Sequence, residues 1–319
     1  MDRIYILITL DVEPERIENH WDGPEDIEFS GRSIEALFKL ATDRGYPVSF
    51  FIHPEMAHMQ RGLFRRLKKE GACLGLHIHA TKFQYPLWEY EFGYYSYEEQ
   101  RRMLADGKEQ WAMGLGEEPR YFRPGAFSAN DVTFRALRDE GFLGAALSVP
   151  GRVWPERYSC WEGTEPDPHR AHPNFRLVRG DLDVVNVPLT VDFQSPAEFH
   201  GMRYFHDLRP DTPGLDHAAM LNHIVARLLK DKPPVPAIHM TTANDKAFWD
   251  EDSEYTQRFI SMLDAAEAAC REAGAEAVPV SLETVCKEVL AAPRRAPRGY
   301  RLRHDHDPHS RRPSSRDNS

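Results

Sequence analysis

Near its start the chain reads Ile4-Tyr5-Ile6-Leu7-Ile8-Thr9-Leu10-Asp11-Val12-Glu13, and this stretch decides the fold. The apolar, partly β-branched run predicts a buried strand. Successive side chains of a strand alternate between its two faces, so Asp11 and Glu13 point to the same side. They stand where α/β proteins place their chemistry, at the carboxyl end of a strand. Two carboxylates this close repel each other unless a metal ion, an arginine or a shared proton stabilises them.

The composition is that of a globular protein. The 319 residues are 41% hydrophobic and 28% charged, which is enough apolar material for a large core. The formal net charge of −10 argues against a general nucleic-acid binder. No apolar stretch approaches the roughly 20 residues of a membrane span, and the first run is too short for a signal peptide. The cysteines are widely spaced without a zinc-finger pattern, which favours free thiols. We therefore expect a cytoplasmic protein without a membrane span or a nucleic-acid partner.

Strand and helix patterns alternate about seven times, which predicts a parallel sheet wrapped by helices. After the first run, strands are predicted at 48–52, 73–76, 145–149, 184–189, 236–240 and 278–280. Helices are predicted at 34–41, 63–69, 97–113, 132–140, 217–230, 255–273 and 281–291. The segment 193–213 is predicted to be a loop. The simplest architecture is one barrel of βα units over residues 1–292, followed by a disordered basic tail at 293–319.

Polar residues of ligand type follow three further predicted strands. His77 and His79 lie two residues apart, so both imidazoles can face one side. Two imidazoles and one carboxylate are a common ligand set for a catalytic Zn²⁺ ion. Arg123 precedes a Pro-Gly turn that would hold a cation in place beside Asp11. His239 ends an apolar strand, a suitable position for a general acid.

Each of these residues also has an ordinary structural interpretation. An Asp-x-Glu pair is typical of acidic loops, and one of the two histidines could simply pack against the aromatic stretch 83–97. Arg123 could be a surface arginine beside a turn, and His239 could be a hydrogen-bonded core histidine. The functional interpretation depends on all of these residues meeting in one pocket.

Taken in order, the motifs resemble those of the polysaccharide deacetylases. The run at 7–13 resembles the first family motif and the residues at 48–51 resemble the second strand. The histidine motif corresponds to 75–79, the arginine motif to 122–125 and the late histidine motif to 237–239. The resemblance extends over about residues 4–290. It implies a distorted (β/α) barrel and a metal-dependent deacetylase.

The resemblance also implies roles for individual residues. Asp11 would be the catalytic base, Arg123 would orient that base, and His239 would be the general acid. Glu13 and His77 would bind a divalent metal ion, most simply Zn²⁺. The family usually has Asp at the position of Glu13, and its second histidine ligand usually lies four residues after the first. That second position is Thr81 in this chain, so we assign the remaining ligand to His79.

The expected reaction is removal of an acetyl group from an N-acetylated sugar. The backbone N–H near Gly125 is a candidate oxyanion donor. The tryptophan-bearing segment 154–161, with Trp154, is a candidate platform for sugar rings. Two alternatives remain open: a hydrolase of a linear or cyclic non-sugar amide, and a metal-free carbohydrate-binding or regulatory protein derived from a hydrolase.

Overall fold

The structure, a computed structural model, describes residues 2–16, 23–84 and 86–294. In these ranges the chain forms thirteen strands: β1 (Arg3–Val12), β2 (Val48–Ile52), β3 (Cys73–Ile78), β4 (Tyr121–Pro124), β5 (Gly144–Ala145), β6 (Val153–Trp154), β7 (Ser159–Cys160), β8 (His169–Arg170), β9 (Val185–Asn186), β10 (Val191–Phe199), β11 (Met202–Asp207), β12 (Ala237–Ala243) and β13 (Glu276–Pro279). The same ranges contain eight α-helices: α1 (Ile27–Thr42), α2 (Pro54–Met59), α3 (Arg61–Lys69), α4 (Tyr97–Leu115), α5 (Thr133–Asp139), α6 (His217–Asp231), α7 (Glu254–Glu272) and α8 (Leu282–Ala291).

Nine strands form one curled sheet in the order β12-β1-β2-β3-β4-β5-β9-β8, and β13 also pairs with β1. Every strand pair of this sheet is parallel except β8 with β9, which is antiparallel. Helices surround this curled, mostly parallel half-barrel. The predicted distorted (β/α) barrel is confirmed.

Strand β1 is buried on both faces, which explains its nearly continuous apolar sequence. Ile6, Ile8 and Leu10 belong to the large core cluster that includes the helices. Leu7 belongs to a second cluster that includes Phe51 of β2. Because the side chains of a strand alternate between its two faces, Thr9 and Asp11 lie on the same face as Leu7. The first strand therefore delivers Asp11 to the opposite side of the sheet from the main core.

The segment 193–213 is not the loop that the sequence predicted. Strands β10 and β11 form an antiparallel hairpin, and β6 and β7 complete a second, four-stranded sheet. His200 and Gly201 make the turn with positive φ angles of 46° and 78°. The prediction was wrong because most residues of these strands are exposed or half-buried and their apolar residues alternate with polar ones, so they lack the apolar run that identifies the barrel strands.

None of the helices in the described part of the chain combines the length and apolar character that a membrane-spanning segment needs. Helix α8 ends at Ala291, close to the predicted domain boundary. The predicted disordered tail, apart from Pro293 and Arg294, lies outside the described residues.

Candidate active site

Arg123 is the centre of a buried polar network at the carboxyl ends of β1, β4 and β12. Its Nη1 donates hydrogen bonds to Asp11 Oδ1 at 2.7 Å and to Thr241 Oγ1 at 2.9 Å. Its Nη2 lies 2.8 Å from Thr9 Oγ1 and 3.0 Å from His239 Nε2. The guanidinium carbon also stands 4.3 Å from the centre of the Phe51 ring. The arginine is completely buried, so it holds the Asp11 carboxylate in one orientation.

The contacts of His239 define its protonation state. Nδ1 lies 3.0 Å from the Pro188 carbonyl oxygen, which can only accept, so Nδ1 carries a proton. Nε2 faces the Arg123 guanidinium, which can only donate, so Nε2 accepts. Burial and then the Arg123 charge hold the pKa of His239 well below its ordinary value. The imidazole is therefore neutral and positions Arg123, and its predicted role as general acid stays a prediction.

Glu13 forms the second buried cluster together with His77 and Lys82. Its Oε1 lies 2.9 Å from His77 Nε2, and its Oε2 accepts a hydrogen bond from Lys82 Nζ at 3.0 Å. The Asn244 side chain anchors the backbone of Glu13 with two hydrogen bonds of 3.0 and 2.9 Å. Although burial raises the pKa of Glu13, the charges of His77 and Lys82 outweigh it and hold that pKa well below its ordinary value. Glu13 is thus an ionised carboxylate with His77 at one oxygen and the Lys82 ammonium at the other.

His79 is oriented by neighbours that are distant in sequence. Its Nδ1 lies 3.3 Å from Glu91 Oε2, and the other oxygen of Glu91 accepts a hydrogen bond from Arg157 at 2.7 Å. The imidazole ring rests directly on Gly125, where an added Cβ would stand 2.4 Å from His79 Cγ. The backbone angle φ of Gly125 is not positive, so the backbone conformation does not require glycine here. Glycine is needed because the His79 ring approaches so closely that a side chain would not fit.

A cavity of about 690 Å³ lies at this end of the half-barrel. Four of the predicted site residues line it: Asp11, Glu13, His79 and Trp154. The other four stand behind its wall. His77 contacts Glu13, Arg123 contacts Asp11, His239 contacts Arg123, and Gly125 supports His79. All eight predicted residues therefore belong to one connected site.

The cavity also contains residues that the sequence did not single out. Arg152, Arg157 and Arg209 lie on its wall, and the β10–β11 turn contributes Phe199 and His200. Glu91 and Lys82 stand immediately behind it. Lys82 could have been suspected, because it follows His79 by only three residues, but nothing in the sequence connects Glu91 with His79.

A divalent metal ion does not fit the described arrangement. Among residues 2–16, 23–84 and 86–294, no group of three or more His, Cys, Asp or Glu side chains is placed to hold one. Both oxygens of Glu13 already face His77 and Lys82, and His79 faces Glu91. The zinc ion predicted at Glu13, His77 and His79 remains a prediction that these contacts do not support.

Several solved structures have a fold similar to that of this chain. A protein of Mycobacterium smegmatis assigned as a polysaccharide deacetylase is similar, with a TM-score of 0.56 and 16% identity over 94% of this chain and 95% of that one. A polysaccharide deacetylase assigned in Pseudomonas aeruginosa PAO1 is similar with a TM-score of 0.57, 13% identity and coverage of 90% and 91%. The PuuE allantoinase is similar with a TM-score of 0.56, 10% identity and 90% coverage of both chains.

These similarities confirm the resemblance at the level of the fold. No protein-family profile matches the chain, and no curated protein matches it.

Proposed function

We propose that this protein hydrolyses the amide C–N bond of an N-acetylated sugar. The observation that carries the proposal is Asp11, whose carboxylate reaches the cavity while the buried Arg123 holds it at 2.7 Å. The side chain of Asp11 is 17% exposed, so it can meet both a water molecule and a substrate. A carboxylate held in one orientation at the wall of a cavity is suited to act as a general base.

In the proposed reaction, Asp11 takes a proton from water as the water oxygen bonds to the amide carbonyl carbon. The C–N bond then breaks, and the same proton passes from Asp11 to the departing nitrogen. The direct products are a carboxylic acid and an amine. The acid then gives its proton to the amine, which leaves a carboxylate and an ammonium ion, so atoms and charges balance. Arg123 contributes by holding the Asp11 carboxylate in a fixed orientation throughout the reaction.

The 3-10 turn Gly125–Phe127 lies at the wall of the cavity in which the reaction is proposed to take place. Ala126 and Phe127 both line the cavity and have φ angles of 52° and 54°, a conformation that non-glycine residues seldom adopt. Such strain is retained where a site requires a particular backbone direction. The turn supports our proposal that a backbone N–H near Gly125 stabilises the carbonyl oxygen as it becomes negative.

A sugar ring is the favoured substrate group because aromatic side chains surround the cavity. Phe127, Trp154 and Phe199 all line it, and 58% of Phe199 is exposed. Aromatic side chains offer large, rigid apolar surfaces of the kind that cover the apolar face of a sugar ring. The non-sugar amide remains a second candidate because charged side chains share the same wall.

The proposal is tested by measuring acetate release from a panel of N-acetylated amino sugars. Asp11→Asn should lower kcat by about 100-fold to 10,000-fold, since the base is lost while its size is kept. Asp43→Asn is the matched control, because Asp43 caps α1 at the surface and pairs only with the exposed Lys39 among the contacts described. Sugar binding without acetate release by the wild-type protein would refute hydrolysis and favour the binding protein.

A further inference from the structure

We propose that the Lys82 ammonium is the resident cation of the Glu13 cluster, in the place that a divalent metal ion would otherwise take. Nζ lies 3.0 Å from Glu13 Oε2, and the side chain of Lys82 is only 1% exposed. Lysine is seldom buried this deeply unless it is paired with a negative group. The proposal is independent of the proposed hydrolysis, because it concerns which cation the site holds.

The turn after β3 brings Lys82 to this position. The backbone N–H groups of Lys82 and Phe83 both donate to the carbonyl of His79, at 2.9 Å each. This turn reverses the chain immediately after the two histidines and directs the lysine back across the sheet to β1. Glu13 reaches His77 with one oxygen and Lys82 with the other.

Lys82 and a divalent ion would compete for the same carboxylate. An ion bound by Glu13 and His77 would stand within a few ångströms of Nζ, in a region where burial weakens the screening between charges. The Nδ1 atom of His77 lies 3.0 Å from the Arg123 carbonyl, and this contact directs its Nε2 at the same Glu13 carboxylate. Removal of the Lys82 charge would therefore leave Glu13 and Nε2 of His77 facing a position that a divalent ion could enter.

The test is a Zn²⁺ titration of chelator-treated full-length protein by calorimetry. The wild type should show no site that depends on His77. Lys82→Ala and Lys82→Met should each gain one such site, with affinity raised by at least about 10-fold over the wild type. Lys39→Ala is the control, since Lys39 is an exposed lysine paired with Asp43. The double variant Lys82→Ala/His77→Ala should lose the new site, which separates it from zinc bound elsewhere on the chain.

One zinc ion per wild-type chain that disappears in His77→Ala would overturn the proposal. Folded Lys82 variants that bind zinc no better than the wild type would overturn it too. Circular dichroism establishes folding before each titration. If neither Lys82 variant folds, the comparison of the wild type with His77→Ala decides the question alone.

A separate observation concerns Arg152, and we propose that it binds a carboxylate group of the substrate. Arg152 is only 8% exposed and lies on the wall of the cavity. Its Nη2 is 3.8 Å from Asp207 Oδ2, and its Nε has no hydrogen-bond partner in the described part of the chain. Arg209 already holds both oxygens of Asp207, at 2.9 and 2.5 Å. Two arginines therefore share one carboxylate.

This sharing leaves the Arg152 guanidinium 3.8 Å from the Asp207 carboxylate, beyond hydrogen-bond distance, and its Nε unpaired among the described residues. A buried guanidinium is stabilised by a negative group within hydrogen-bond distance, and a planar carboxylate matches its geometry best. Phe127 lies beside it, with its ring centre 5.3 Å from the Arg152 guanidinium carbon. The carboxylate proposal rests on the proposed function, since it names a further group of the same substrate.

Binding to the inactive Asp11→Asn variant tests this second proposal apart from catalysis. N-acetylmuramic acid, which carries a carboxylate, should bind at least about 10-fold more tightly than N-acetylglucosamine, which does not. Arg152→Met should remove this preference. Arg203→Met should keep it, because Arg203 is an exposed arginine of β11 outside the cavity lining. Equal affinity for the two sugars would overturn the proposal, as would a preference that survives in folded Arg152→Met. The proposed hydrolysis is tested separately, by acetate release from the wild type.

Discussion

Replacement of His239 separates two roles that its position allows, a general acid and a neutral acceptor for Arg123. We consider His239→Leu, which removes both ring nitrogens, and His239→Gln, whose carbonyl oxygen can still accept from Arg123. In the structure the ring makes hydrogen bonds of 3.0 Å to the Pro188 carbonyl and to Arg123 Nη2. Its Nε2 also lies 3.0 Å from Thr9 Oγ1, which donates to the Met240 carbonyl. Only 1% of the residue is exposed, so water cannot replace these bonds.

The expected loss of stability follows from these two bonds. Leaving the buried Pro188 carbonyl without a donor costs about 1–3 kcal/mol, and losing the acceptor for the charged guanidinium costs about 1.5–3 kcal/mol. His239→Leu should therefore lower the free energy of unfolding by about 2.5–6 kcal/mol at pH 7.5. His239→Gln should lower it by about 1–3 kcal/mol, because it retains the bond to Arg123.

Urea unfolding measures these differences, and NMR of ¹⁵N-labelled histidine measures the protonation state directly. The ring should remain neutral, with its proton on Nδ1, as the pH falls from 8 through its ordinary pKa of about 6.5. Because folding keeps the ring neutral, its contribution to stability is present above that value and is lost as the pH falls below it. A ring in the folded protein that becomes protonated at or above pH 6.5 would refute this reasoning and restore the general acid.

Two further predictions concern neighbouring residues. Burial lowers the pKa of His53 to about 3, so acid should favour the unfolded chain. Between pH 7 and pH 5 the wild type should lose about 2 kcal/mol more of its free energy of unfolding than His53→Leu. Parallel pH profiles of stability for the two proteins would contradict this. Gly125→Ala should displace the His79 ring and cost about 1–3 kcal/mol together with most of the activity, because the new Cβ would lie 2.4 Å from that ring. Gly62→Ala in α3 is the control, since nothing lies within 4 Å of its added Cβ; equal melting temperatures for the two variants would count against the contact.

The barrel strands were predictable because their signals are local. The run before Asp11 is apolar over consecutive residues, and a strand buried on both faces needs such a run. The same rule identified the strands that carry His77 and His239. It missed the β10–β11 hairpin, because most residues of its strands are exposed or half-buried and polar residues interrupt the apolar ones.

The site residues were predictable as positions but not as chemical states. Parallel strands bring their carboxyl ends to one edge, so the sequence alone determined that Asp11, His77, Arg123 and His239 would meet there. Only the tertiary structure decided that Lys82 faces Glu13, because side chains 69 positions apart share no local pattern. It likewise decided that His239 is neutral. The protonation state of a side chain depends on its burial and on its neighbours in the folded protein, which are distant in sequence. A strand pattern depends only on residues that are adjacent in sequence.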